Sequence, residues 1–227
     1  MASVLQAAGN FNGSGSATSL AAPFGSAVAA GSTLIAFINV YNASPGVSSV
    51  TDDQGNTWAQ VASACLTSAG DPNFRMETWR ALGAVAGATT VTAAFPSGMY
   101  CGLAIVEVAG AGAVHAGNAA RVAASGGVVS GAGITPTVDG LHLAAYGYEN
   151  TGTTSSPSTG WAQTTEVDES NTAGAVLVED RAAANGVAQT PSWNHSVSGF
   201  AMIVHVVVEN AASGGAGGAR RRRLIAQ

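Results

Sequence analysis

The chain contains no lysine, and only 9% of its 227 residues carry charge. All eight basic residues are arginine, and four of them are consecutive, Arg220 to Arg223. Residues 1–219 therefore hold 13 acids against four arginines, a net of −9. A phosphate-binding body needs spread basic residues, so this distribution argues against specific nucleic-acid recognition. Cysteine is nearly absent too. Cys65 and Cys101 are too few for a disulfide-built scaffold, and they leave open a buried reduced pair or a single bridge. No apolar run is long enough to span a bilayer as a helix. The start, Met1 to Gly9, lacks a basic segment followed by a sustained apolar core, so no signal peptide is expected and the protein is expected to be soluble when made.

Reaction motifs are missing as well. There is no Gly-x-Ser-x-Gly elbow, and the glycine-rich stretches lack a following helix that would cradle phosphate. The four histidines, His115, His142, His195 and His205, are scattered. His142 and His205 lie inside apolar runs, where a histidine held in the sheet is expected rather than a metal ligand. These features predict a protein that is not an enzyme and needs no cofactor.

What the chain does have is repetition. Trp58-Ala59-Gln60 returns as Trp161-Ala162-Gln163, Arg80-Ala81 as Arg181-Ala182, and Ser97-Gly98 as Ser198-Gly199. The offset is 103 residues at the first match and 101 at the other two, while Leu34–Asn42 aligns with His142–Asn150 at 108. Several matches in one order with a drifting offset predict one sheet-forming unit used twice, with halves at about 18–110 and 125–210.

Within each half, short runs of β-formers alternate with turn signals roughly every ten residues. Expected strands include Thr33 to Tyr41, Val47 to Thr51, Arg75 to Leu82, Thr89 to Phe95 and Tyr100 to Val108, with Thr57 to Ala62 leading out of the turn at 52–56. The second set is Leu141 to Tyr148, Trp161 to Val167, Ala175 to Ala182, Thr190 to His195 and Phe200 to Val208. Gly13–Ser16 reads as a flexible loop, Pro96-Ser97-Gly98 as a turn, and 110–133 as a glycine- and alanine-rich bridge with one short strand near Val128. No amphipathic helix is expected. The prediction is an all-β, antiparallel, jelly-roll-like sandwich over residues 1–210, followed by a Gly/Ala linker and an Arg-rich tail at 211–227.

Candidate sites are few. Arg220, Arg221, Arg222 and Arg223 pair well with carboxylates, and Leu224 and Ile225 add an apolar anchor, so the tail is a candidate partner-binding segment. Tyr146 and Tyr148 share a strand face and, with Trp193, would form a glycan-stacking platform if exposed. Asp52, Asp53 and Asn56 could gather Ca²⁺ in a turn, but an ordinary Asx-type turn is the expected reading, and no metal site is predicted.

The run Val50-Thr51-Asp52-Asp53-Gln54-Gly55-Asn56-Thr57-Trp58, followed by Glu77-Thr78-Trp79-Arg80-Ala81 and a second copy with Gly160-Trp161, resembles a β-sandwich family. Domains of this type occur in tailed-phage structural proteins and in bacterial surface proteins. The resemblance covers about residues 18–210 and carries no catalytic residues. It implies a virion component: a capsid decoration, head-fibre or tail-associated protein contacting other virion proteins. It would be homo-oligomeric and made in the host cytoplasm. A glycan-binding module or adhesin is the alternative expectation.

Overall fold

Thr33–Tyr41 is a run of β-formers with no turn residue, and every residue in it but the last is buried. A strand that is apolar on both sides must be covered on both sides. The rest of the fold meets that demand.

The computed structural model describes residues 1–41, 46–68, 73–148, 155–167 and 176–211. Among them the chain is β throughout, apart from one short 3₁₀ turn at Ala62–Ala64, and there is no α-helix. The strands of residues 3–109 are β1 (Ser3–Pro23), β2 (Thr33–Tyr41), β3 (Ser49–Asp52), β4 (Trp58–Gln60), β5 (Leu66–Thr67), β6 (Arg75–Ala81) and β7 (Thr90–Ala109). Those of residues 111–210 are β8 (Ala111–Ser130), β9 (Gly140–Tyr148), β10 (Ser155–Pro157), β11 (Ala162–Val167), β12 (Val176–Ala183) and β13 (Ser192–Asn210). All pairings are antiparallel. The first sheet runs β1-β7-β2-β6-β4, with β3 also on β7 and β5 on β6. In the second, β13 lies between β8 on one side and β9 and β10 on the other, and the sheet continues through β12 to β11.

The two sheets face each other. Ile35, Phe37, Met76, Ala104, Val106 and Val108 from the first meet Leu143, Ala145, Val178, Met202, Val204 and Val206 from the second in one apolar cluster. Burial of each such Ile, Leu, Phe or Met contributes about 1.5–3 kcal/mol relative to exposure. The intervening residues point the other way, as strand alternation requires. Leu34, Ala36, Ile38 and Val40 join a second cluster on the far side of the first sheet. Ala144, Tyr146, Leu177 and Ile203 join a third on the far side of the second. The all-β sandwich expected from the sequence is thus present, with an apolar layer on each outer face as well as between the sheets.

Four expectations are corrected. Gly13–Ser16 is not a loop, because β1 passes straight through it. Pro96-Ser97-Gly98 is not a turn, because β7 is one strand of 20 residues. These segments lie opposite each other where the β1–β7 register jumps, between Asn12↔Cys101, Ala17↔Met99 and Ser19↔Ala94. Proline has no N–H for a ladder and is accepted at such a bulge. Gly15 sits there at φ 69°, and a side chain at Gly98 would press on the Gly15 carbonyl at 3.0 Å. The kink lets the far ends of β1 and β7 curl over the outer face, bringing Leu20, Ala22, Val91 and Ala93 against Leu34 and Ile38. The 110–133 bridge is likewise β8, a full partner of β13, and the two strands expected at Thr190–His195 and Phe200–Val208 are one. The small residues of β8 concealed it. Its pattern lacks bulky β-formers because it lies at a sheet edge and packs closely: Gly117 rests against Ser63 and Ala64.

The repeated sequence words hold their order but not their register. Arg80 pairs with Ile35, which faces the inter-sheet core, whereas Arg181 pairs with His142, which lies next to Leu143 of that core. A one-residue slip sends a strand's side chains to the opposite face. The tail, including Arg220–Ile225, lies outside the described residues.

At the edge where β1 lies over β11, any side chain at Gly9 would overlap Val167. Gly9→Val is expected to lower unfolding free energy by about 1–3 kcal/mol through overpacking. Gly25→Ala, with nothing within 4 Å of the new Cβ, is expected to stay within about 0.5 kcal/mol of the parent. Urea titration of both proteins checks the contrast.

Candidate functional site

The outer faces of the two sheets carry the buried ionisable side chains Glu77, Glu107, His142, Glu179 and His205. On the first sheet, cross-strand pairing arranges three rows: Ala81–Leu34–Glu107, Trp79–Ala36–Ile105 and Glu77–Ile38–Leu103. Both carboxylates are buried and both are saturated by their own chain. Glu107 accepts from Ala29 N at 2.8 Å, Ser32 Oγ at 2.7 Å and Gln6 Nε2 at 2.6 Å. Glu77 accepts from Gln60 Nε2 at 2.7 Å and Trp79 Nε1 at 3.0 Å, and it pairs with Arg75. These are fasteners that hold the covering loop and β4 to the sheet.

The Asp-rich hairpin behaves in the same way. Asp52 accepts from Gln54 N, Asn56 N and Trp58 Nε1; Asp53 accepts from Thr89 N and Oγ1; Asn56 Oδ1 accepts from Val85 N. Each of these side-chain oxygens is already committed to a donor of its own chain. The Asp52, Asp53 and Asn56 set is therefore a structural staple of the hairpin. Those bonds to Thr89 also hold the Asp53 carboxyl below its ordinary value. Among the described residues no group of three His, Cys, Asp or Glu is gathered as a metal site. Cys65 and Cys101 are both free, and burial pushes their thiols up to about 11 and about 12.

The second sheet repeats the geometry with different chemistry. Its outer rows read Arg181–His142–Val207, Glu179–Ala144–His205 and Leu177–Tyr146–Ile203. His142, Glu179 and His205 are all at most 1% exposed. His142 Nδ1 and His205 Nε2 are 2.8 Å apart, and His205 Nδ1 lies 3.3 Å from the Ala132 carbonyl. A carbonyl only accepts, so the His205 proton sits on Nδ1 and its Nε2 accepts from His142 Nδ1–H. That order leaves His142 Nε2 as a bare lone pair, and no partner meets it. Trp161 packs edge-on to both rings, at 6.0 and 5.6 Å between centroids. Both oxygens of Glu179 and Nε1 of Trp193 also lack partners.

Burial sets the protonation states. Desolvation lowers His142 to about 4, helped by the charge of Arg181, and lowers His205 to about 3, helped by His142. Desolvation raises Glu179 to about 9, and the neighbouring Asp180 adds to the rise. The Ser192 N–H offsets part of that shift without forming a hydrogen bond of good geometry to either oxygen. At neutral pH the site therefore holds two neutral imidazoles and a neutral carboxylic acid.

The structure separates the expected site residues. Tyr146 and Trp193 are fully buried and pack on each other at 5.3 Å between centroids. They do not form an exposed stacking platform; the pleat turns them into the third apolar cluster. The side chain of Tyr148 lies outside the described residues. Nothing in the local sequence singles out Glu179. His142 and Tyr146 share a face by simple alternation, but the neighbours that give Glu179 its meaning lie on other strands.

No family model matches the sequence, and no curated protein matches it. Among solved structures, a conserved protein of unknown function from Pseudomonas aeruginosa PAO1 aligns over 85% of this chain and 82% of its own, with 10% identity and a TM-score of 0.27. An overlap that low says nothing about what this chain binds.

The buried groups predict a pH profile. The unfolded chain protonates its histidines near 6.5 and the folded chain only near 4 and 3, so stability falls as pH drops below about 6.5. Glu179 acts in the opposite sense: the folded chain keeps its proton to about 9, the unfolded chain loses it near 4.5, and stability falls as pH rises between these values. With two histidines against one glutamate, melting temperature should peak near the ordinary histidine value of 6.5. Glu179→Gln should flatten the alkaline limb and leave the acid limb in place. Scanning calorimetry across pH decides this, and an unchanged alkaline limb in the variant contradicts the assignment.

Proposed function

We propose that the chain is a non-enzymatic structural component of a phage particle, present in many copies and attached through its C-terminal segment. The observation that carries this reading is the pair of long sheet edges. β1 spans 21 residues and β8 spans 20; among the described residues each pairs on one side only, with β7 and β13 respectively. β1 contains no charged residue and β8 only Arg121. Monomeric proteins guard such edges with lysine, proline or inward charge, because an open edge recruits another strand. A chain with two lightly guarded edges and 9% charged residues is suited to permanent neighbours. Copies of itself and other capsid or tail proteins are the neighbours that the phage-domain resemblance supplies. The sequence Arg220–Ile225 provides a separate attachment element, basic and then apolar, on an otherwise acidic chain.

Two measurements test the reading. Mass spectrometry of gradient-purified particles is expected to find the protein in stoichiometric copy number. A chain ending at Ala219 is expected to keep its β circular-dichroism signature and to stay behind in the soluble fraction. A truncated protein that still sediments with particles removes the tail from the proposal, and its absence from particles of any kind removes the function.

A further inference from the structure

Two asparagines in the chain are followed by glycine, Asn12 and Asn185. Such an asparagine can close on itself: the backbone nitrogen of the next residue attacks the side-chain carbonyl carbon, and glycine has no Cβ to obstruct the attack. The structure treats the two pairs differently. Gly186 N donates to the Pro136 carbonyl at 2.7 Å, so the nucleophile beside Asn185 is tied to a neighbouring loop. Asn10 and Asn118 are restrained in another way. The N–H that follows each donates to its own side-chain oxygen, at 2.8 and 2.9 Å.

Asn12 has the opposite arrangement. It sits where β1 and β7 lose register: the partners step from Asn12↔Cys101 to Ala17↔Met99, and residues 13–16 have none across the ladder. Ring closure must rotate the backbone out of extended geometry, and here no ladder pairing resists that motion. Gly13 and Ser14 are exposed, so water reaches the site. The Asn12 Oδ1 atom accepts from Ser14 N at 3.0 Å and from Ser14 Oγ at 2.8 Å. Two donors on one carbonyl oxygen draw electron density from its carbon. They also stand where negative charge gathers when that carbon is attacked.

We propose that Asn12 is a self-modification site, converted to a carboxylate with Ser14 as its positioning residue and water as co-reactant. The Gly13 nitrogen gives its proton to solvent base and bonds to Asn12 Cγ. The oxyanion formed on Oδ1 rests on the two Ser14 donors, then collapses with loss of ammonia to leave a five-membered succinimide. Water adds to either ring carbonyl and breaks its bond to nitrogen, giving an aspartyl or an isoaspartyl residue at position 12. No oxidant or reductant is needed. The product puts a negative charge on β1, which otherwise has none, at the point where the strand bends. Charge on an edge strand opposes the addition of another strand, so the reaction turns an open edge into a guarded one. That consequence rests on the edge association proposed above, whereas the chemistry does not.

The test incubates the full chain at mildly alkaline pH. Mass spectrometry with backbone fragmentation assigns the amide-to-acid mass gain to a position, and isoaspartyl methylation gives a second readout. In the folded chain position 12 should convert severalfold faster than position 185, and in urea the two rates should converge. Ser14→Ala should slow conversion at position 12 by about 2–10-fold, the loss of one hydrogen bond, while Ser14→Thr keeps the parent rate. Circular dichroism checks that each variant keeps its β signature. If Ser14→Ala unfolds, the ratio of the two positions in the parent still decides. A folded chain in which Asn12 reacts no faster than Asn185 overturns the proposal, as does a ratio unchanged in urea or a Ser14→Ala rate equal to the parent's. Asn12→Asp separates the two claims: if it associates as readily as the parent, the edge consequence falls and the modification stands.

Discussion

The fold rests on a demand made by its two central strands. β2 and β9 are apolar on both faces, and nearly every described side chain in them is buried. A strand of that kind cannot sit in a sheet with one wet side. One face of each is satisfied by the other sheet, through the cluster that joins Phe37 and Val106 to Leu143 and Val204. The other face must be roofed locally. The kinked strand pairs, the loop at 24–32 and the Asp52 hairpin provide the roof of the first sheet. Its buried glutamates are then understood as ties that hold roof to sheet, each bound to backbone or side-chain donors.

The same architecture gives the second sheet room to differ. Its strands pair in the order found in the first, and its outer rows have the same alanine at the centre, Ala144 against Ala36. Yet the ties are missing at Glu179, and a histidine pair takes the place of apolar side chains on β9 and β13. The stability that such a face gives up must come from the shared core, which is unaffected by what lies on the far side of either sheet. A scaffold of this kind can keep one half as structure and change the chemistry of the other.

Much of the fold was legible in the sequence, and the reason is periodicity. Runs such as Thr33–Tyr41 and Phe200–Val208 announce themselves by β-branched and aromatic content, and turn residues mark most of their ends. What stayed hidden was the continuity of the long strands. Gly13–Ser16 and Pro96–Gly98 look like breaks because those residues usually make them, and here they sit in a bulge that bends a ribbon without ending it. β8 was hidden because its burial comes from close backbone approach, which favours glycine and alanine, the residues least informative about strands. The candidate site was less legible still. The tyrosine and tryptophan were found, but their exposure was not readable, and the carboxyl group that matters most is assembled with its neighbours by pairing between strands far apart in the chain.

The first sheet draws only on residues up to Ala109 and the second only on those after Gly110. During synthesis the earlier sheet can therefore complete its hydrogen-bonded ladder while the later one is still being made. Its inner face, with Phe37 and Val106, stays bare until the strand ending at Asn210 has emerged and joined its own sheet. A chain made in this order would leave the first sheet's inner face without its cover until the second sheet is complete, the kind of exposed apolar surface that makes an unfinished fold prone to association.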